Sequence, residues 1–470
     1  MRESNLDKET QPVLLGETTS NLESHGLRGD ALSPMETMAQ SIASIAPTAG
    51  PALTIPAVFA LAGNATWFVY FLGTLSMVLV ALSVRQFAKR SASPGSLYEY
   101  AASTLSPFWA AVTGWSLLMA YAGTAAAVTG GFSSYLNVLV HLGLGINLPM
   151  ILPTTMAVGI ATWIAVRDIS LSARLMLWLE SISVLLIVMV ASVTLLNSST
   201  IFDVPQLTMR DVAFPHLGPG LVLALFSFVG FESATALGAE ARNPLRSIPR
   251  AVLGSAILVG VFFVISAYVE VLGFRSAGLE LSNSETPLQV LAEKARMNWA
   301  GPLIAAGAMF SFFACTLACL TAGARVLFFM ARRGLLHGSM GRAHLKNETP
   351  SNAVLVVALF TFLMCGPLAA VGVAGTDVNG WLGTLATYGF IVAYLLVVIA
   401  APIHSHRNDE LSLRHLVLAT LAGICLLGAL GFSLYPLPPA PYVYLPYCFA
   451  AYLLVVLLVG RAMGAGTVAA

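Results

Sequence analysis

In the stretch "SIAPTAGPALTIP", residues 44–56, three prolines and a glycine interrupt an apolar run otherwise long enough to cross a membrane. Proline has no amide hydrogen and its ring clashes with the carbonyl four residues back, so Pro47 is expected to free the carbonyl of Ala43, and Pro51 that of Pro47. Gly50 is pushed out of helical geometry by the proline that follows it. A helix restarting at Pro51, a favoured first position, leaves several amides around Thr48 to Leu53 without partners. Backbone polar groups cannot stay unpaired in hydrocarbon, so the break requires a cavity lined by protein or water. There it offers amide hydrogens to a carboxylate and carbonyl oxygens to an ammonium group or a cation, which are the needs of a zwitterion. The plainer alternative is a proline kink whose loose groups neighbouring helices take up.

A second interruption lies in "GPGLVLALFSFVGFESATALGAEARNP", residues 218–244, with Gly230 inside the apolar run and Glu232 just beyond it. A carboxylate at such a depth costs about 2.5–3.5 kcal/mol to insert. Glu232 is therefore either a proton carrier or a structural acid bonded to a neighbouring helix. Glu180 and Glu270 are weaker candidates, since each is expected nearer a helix end where its side chain reaches the interface. Cys315 and Cys319 share a helix face at i, i+4 spacing and read as packing residues, and no metal site is expected. His404 and His406 read as solvated loop residues beside Arg407.

These groups need a membrane-embedded frame, and the composition supplies one. Of 470 residues, 57% are hydrophobic and 10% charged, against roughly 45–50% and about 25% in soluble domains. Twelve apolar runs follow a polar start: 36–62, 66–87, 108–139, 148–166, 175–196, 219–239, 251–272, 302–330, 353–373, 381–403, 416–434 and 442–459. Their continuous apolarity and length indicate helices, because barrel strands alternate and are half as long. Fourteen Lys and Arg residues fall in the even-numbered loops and four in the odd-numbered ones. Positive charge stays inside, so both termini are expected to be cytoplasmic. Residues 1–35 read as a disordered cytoplasmic tail without signal-peptide pattern and 462–470 as a short cytoplasmic one. The loops are too short for a soluble domain. A net charge of +1 without a basic, aromatic-studded patch points away from a nucleic-acid partner. Small residues crowd the third run ("AGTAAAVTGGFSS") and the eighth ("ACTLACLTAGA"), permitting close helix approach, and their hydroxyls are suited to line a path.

Four stretches resemble the amino acid–polyamine–organocation (APC) permease family. They are "FSFVGFESATALGAEARNPLRSIPRAV", "SPGSLYEYAASTLSPFWAAVTGW", "TAGARVLFFMARRGLLHGSMGRAHLKNETPSNA" and "GTLATYGFIVAYLLVVIAAP". The resemblance implies an all-α membrane protein of LeuT-like fold: two inverted five-helix repeats, about 36–196 and 215–403, and two extra helices, about 413–461. It further implies a substrate site at Ala43, Ala46, Pro47, Thr48, Ala49 and Gly50 on the first break and at Phe226, Ser227, Val229 and Gly230 on the second. The amides of "APTAGPA" would hold a carboxylate. Carbonyls near Ala43 and those of Phe226, Ser227 and Val229 would receive the amine. Phe226 would act as a gate, and Glu232 matches the family's intramembrane acid. Pro47-Thr48-Ala49-Gly50 replaces the common Gly-x-Gly form. Ser183 aligns where some proton-coupled relatives carry a lysine and others bind sodium, so Ser183 joins Glu232 as a coupling candidate.

The function expected is secondary transport of amino acids across the cytoplasmic membrane by alternating access, among membrane lipids and driven by H⁺, Na⁺ or exchange. No Walker-type motif is present, and no other cofactor is expected. Three alternatives stay open: an amine or polyamine permease, a transporter-derived amino acid sensor, and a membrane enzyme. The last lacks HExxH, GxSxG and any acid or histidine cluster in its spans.

Overall fold

The computed structural model describes residues 26–467 except 168, 199, 213–216, 285, 298, 436 and 439. The proposed tail at 1–25 and the last residues, 468–470, lie outside that set. In chain order the helices are α1 Pro34–Ile45, α2 Ile55–Ala62, α3 Thr66–Ala88, α4 Ser96–Ala102, α5 Pro107–Leu144, α6 Ile151–Arg167, α7 Ile169–Asn197 and α8 Val204–Leu207. They continue as α9 Leu217–Phe226, α10 Pro244–Ser276, α11 Pro287–Lys294, α12 Ala300–Arg332, α13 Ser351–Ala370, α14 Gly375–Arg407, α15 Leu413–Leu434 and α16 Leu445–Thr467. Among the described residues, nine helical stretches are long and apolar enough to span a bilayer, and Ile151–Arg167 and Leu217–Phe226 are shorter apolar helices.

Helix starts follow the sequence. Ser33 and Glu36 exchange side-chain and backbone hydrogen bonds in a capping box that opens α1, with Pro34 at the first position. Pro107 and Pro244 open α5 and α10 in the same way.

Burial sorts the helices into a core and a rim. The most apolar window of α5 is 89% buried and those of α12 and α14 are 78% buried, whereas the window at Tyr442–Val459 is 11% buried. Glycine makes the core possible. A Cβ on Gly130 would stand 2.6 Å from the Gly375 carbonyl oxygen, and one on Gly389 2.5 Å from that of Ser116, so α5 and α14 touch backbone to backbone.

The two broken helices lie side by side and antiparallel. Before its break, α1 packs on Ser233–Leu237, a 3-10 turn beyond the second break, and α2 packs on α9. The Ser233 hydroxyl donates to the Gln40 carbonyl at 3.1 Å, and the Ala234 amide to Ser41 Oγ at 3.2 Å.

At one end, Arg325 of α12 and Glu240 form a fully buried bidentate ion pair, with N···O distances of 2.5 and 2.7 Å. A third guanidinium hydrogen bond reaches the Thr321 carbonyl at 2.9 Å. The Glu240 carbonyl accepts from the Leu32 amide at 3.0 Å, and the Arg242 amide donates to the Leu32 carbonyl at 2.8 Å. Within the expected tail at 1–35, the described residues 26–35 are packed and not disordered: Leu27 and Leu32 are buried, and this short parallel bridge ties them down. At the other terminus α16 continues to Thr467, past the expected start of a tail at 462.

Removing one partner of such a pair strands the other charge at a cost of about 3–5 kcal/mol. Arg325→Met is expected to lower the thermal midpoint of the detergent-solubilised protein sharply. The double variant Glu240→Leu with Arg325→Met should recover much of that loss, read by size-exclusion after heating.

Candidate functional site

Both interruptions are true breaks. Helix α1 stops at Ile45, Ala46 adopts a left-handed conformation with φ 52°, and the chain re-enters helix through a π-helical turn at Gly50–Thr54. Proline causes this, since neither Pro47 nor Pro51 can donate to the ladder. The Ala43 carbonyl, expected to be free, accepts from the Ala46 amide at 3.1 Å, because the left-handed residue folds its N–H back on the helix end. One residue pair further on, the Ile45 carbonyl and the Thr48 and Gly50 amides have no hydrogen-bond partner among the described residues.

At the second break α9 ends at Phe226 and Gly230 takes φ +92°, a conformation glycine alone adopts without strain. A Cβ there would lie 3.0 Å from the Ser44 carbonyl oxygen, so this glycine also lets the two breaks touch. The Phe226 carbonyl is engaged by the Val229 amide at 3.3 Å, whereas those of Ser227 and Val229 receive no hydrogen bond among the described residues.

Between the breaks is an almost closed hollow of about 10 Å³, the room of roughly one water. Ser44, Ile45, Ala46 and Ala49 border it from the first break, with Thr54 beyond them, and Phe226, Ser227 and Val229 border it from the second. Thr124 and Val128 of α5, Cys315 of α12 and Asn379 of α14 complete the wall. Free carbonyls border the hollow from both broken helices, and the free amides of Thr48 and Gly50 lie in the adjoining turn of the first break, outside its wall. The Asn379 amide group donates to the Ala127 carbonyl at 3.1 Å, and Cys315 Sγ to the Ser44 carbonyl at 3.2 Å. The half-buried ring of Phe226 covers Gly383 of α14, where a Cβ would stand 2.3 Å from it.

Of the residues expected at the site, Ala46, Ala49, Phe226, Ser227 and Val229 border the hollow, whereas Ala43, Pro47, Thr48, Gly50 and Gly230 do not. Gly50 faces the Phe263 ring, with a built Cβ at 2.5 Å, so its smallness serves packing against α10. Ser44, Ile45, Thr54, Thr124, Val128, Cys315 and Asn379 were missed as individual residues. Thr124 and Val128 stand at i, i+4 on the small-residue helix, a visible signal. Asn379 carried one too, as an amide at the start of an apolar run.

Glu232 is fully buried beside the second break and clamped by two phenols. The Tyr121 hydroxyl donates to Oε1 at 2.7 Å and the Tyr394 hydroxyl to Oε2, while Tyr394 accepts from the Gly230 amide at 3.2 Å. Ser183 donates to the carbonyls of Gly307 at 2.6 Å and Leu179 at 2.8 Å, at the crossing of α7 and α12 and away from the hollow.

Three expectations are corrected here. Glu180 does not reach an interface: it is 4% exposed, and the Ser311 hydroxyl of α12 contacts both its oxygens at 2.9 and 3.0 Å. Glu270 is 2% exposed. Both helices extend well past these residues, which places them at depth. His404 belongs to α14 and stacks on Phe87 with ring centroids 4.4 Å apart, because the helix runs on to Arg407; His406 is exposed.

The profile of the amino acid permease family matches residues 33–465. The chain belongs to that family. Its relatives include the branched-chain amino acid permease BcaP of Bacillus subtilis, 26% identical over 75% of this chain and 74% of the relative. The methylthioribose transporter of Bacillus subtilis is 24% identical over 78% of this chain and 80% of its own length. Human cationic amino acid transporter 4 is 25% identical over 72% of this chain, which spans 54% of that longer protein. Among solved structures, MhsT in complex with L-phenylalanine aligns with TM-score 0.60 at 14% identity, covering 86% of this chain and 99% of MhsT. The chain thus shares the fold of MhsT, and its family is one of amino acid permeases and not of enzymes.

Gly230→Ala is expected to cost about 1–3 kcal/mol through strain at positive φ and contact with Ser44. A clear drop in thermal midpoint should result, against no change for Gly428→Ala, whose Cβ meets open space.

Proposed function

We propose that this permease carries a zwitterionic amino acid across the cytoplasmic membrane by alternating access. The observation that carries the reading is one hollow bordered by Ile45, Ser227 and Val229, whose carbonyls are unpaired, beside the turn of the first break that carries the unpaired amides of Thr48 and Gly50. A carboxylate satisfies the amides and an ammonium the carbonyls. Ile45, Ala46, Ala49, Val128, Phe226 and Val229 give the wall an apolar part, and Ser44, Thr54, Thr124, Ser227 and Asn379 a polar one, a mixture suited to a small solute with charged ends. The hollow is too small for such a solute as it stands, so the bundle must open to admit one, with Phe226 as the moving cover.

Twelve crossings fit the helices. The 55 residues of Pro34–Ala88 rise about 80 Å at about 1.5 Å each, enough for two passes of about 30 Å. Helices α6 and α9, the latter continued by its break, add two more. The antiparallel broken helices support two inverted five-helix repeats with α15 and α16 as additions. Basic-residue bias places both termini, and the Glu240–Arg325 end, in the cytoplasm. Glu232 and Ser183 serve as positioning groups at the second break and the α7–α12 crossing.

Counterflow in proteoliposomes tests the reading. Amino acids with both charged groups should compete, whereas decarboxylated amines and N-acylated acids should not. Inhibition by amines alone would replace this reading with amine transport, and binding without flux would make the protein a sensor. Phe226→Ala should raise the apparent KM about tenfold, the equivalent of about 1.4 kcal/mol of lost aromatic contact.

A further inference from the structure

Among the described residues five acids are buried, and four are accounted for. Glu232 has two phenols, Glu240 has Arg325, Glu180 has Ser311 and Asp203 has Arg275. Glu270 of α10 has nothing: both carboxyl oxygens are buried and neither has a hydrogen-bond partner among the described residues. A charged carboxylate in that setting is several kcal/mol too costly to persist. Its side chain therefore holds a proton in this conformation.

Among the described residues no cation is left to stand in for that proton. Tyr70 of α3 and Tyr135 of α5 are titratable side chains close enough to feel its charge. Arg275, further along the same helix, is taken by Asp203 at 2.5 Å and by Asn64. Glu293 and Lys294 of α11 are exposed, Glu180 of α7 faces α12, and Glu36 of α1 is tied to Arg174 at 3.2 Å. Thr194 of α7 presses on Gly273, one turn from Glu270, and its buried hydroxyl is also partnerless.

Position gives that proton a route and a use. A cleft of about 470 Å³ opens at the Arg275 end and is bordered by Val271, the next residue, and by Phe274, one turn on. In the other direction, Phe263 lies two turns back on the same face of α10 and packs against Gly50, while Tyr135 donates to the Ala52 carbonyl of the first break at 3.4 Å. Glu270 thus stands between the open cleft and the segment that borders the hollow.

We propose that Glu270 is the proton-binding site that couples this permease to the proton gradient, loaded from the Arg275 end and discharged when the first break rearranges around substrate. Discharge transfers the carboxyl O–H proton to water and leaves a carboxylate; no other bond changes. This assignment rests on the transport reading above and goes beyond it by naming the ion and its carrier.

Proteoliposomes enclosing a pH dye separate the two claims. With an inward amino acid gradient, the wild type should acidify the lumen. Glu270→Gln should keep counterflow, which needs no net proton movement, but lose at least tenfold of the acidification, and Glu232→Gln should keep the acidification per solute moved. Infrared difference spectra should show a protonated-carboxyl band in the wild type that is missing in Glu270→Gln, a readout available even where flux is low. Undiminished acidification in Glu270→Gln, an unchanged carboxyl band, or wild-type uptake that follows Na⁺ without acidification each overturns the proposal. Absence of counterflow in the wild type would instead overturn the transport reading.

Discussion

A peptide group that cannot pair within its own helix must find a partner, and in the middle of a bilayer that partner cannot be lipid. Pro47 and Pro51 on one helix and Gly230 on another create such groups at two places. Much of the architecture follows from the need to shield them. The breaks are set against each other, Ser44 to Gly230, and enclosed by α5, α12 and α14, the most buried helices of the molecule. Those three come close enough because glycine and alanine fill their contact faces. Long rim helices such as α15 and α16 expose leucine and valine on their outer faces and take no part in the site.

The same economy governs the acids. Tyrosine hydroxyls bond Glu232 to α5 and α14, so one carboxyl locks the second break to the core helices that flank the hollow. Glu240 and Arg325 hold the opposite end together and recruit Leu32 through the backbone. An ion pair this deep adds little net stability over an apolar replacement. Its effect is to fix the spacing of α12 and the segment after the second break. Glu270, without partner, belongs to a different class, since a group left unsatisfied in one state is available to change its protonation in another.

The fold was legible because membrane helices announce themselves through apolar length, and both breaks through residues that cannot continue a helix. Which atoms were left free was less legible. Pro47 predicts a freed carbonyl at Ala43, but the left-handed turn at Ala46 reclaims it and shifts the exposed oxygen to Ile45. Wall residues from α5, α12 and α14 were hidden for a different reason. Thr124, Cys315 and Asn379 are ordinary small polar residues in apolar runs, and only the tertiary crossing decides which of many such residues meets the hollow. Glu180 and Glu270 were placed near helix ends because run length understates helix length: α7 begins 11 residues before Glu180, where the run begins 5 before it, and α10 ends 6 residues past Glu270, where the run ends 2 past it. The Glu240–Arg325 pair joins residues 85 apart and left no local trace.

Amide hydrogen exchange tests the central claim most directly. The purified protein should exchange quickly at the Thr48 and Gly50 amides relative to the flanking helices, and a saturating amino acid should slow both. Exchange at Thr48 and Gly50 as slow as in α5, and unaltered by any amino acid, would contradict the account.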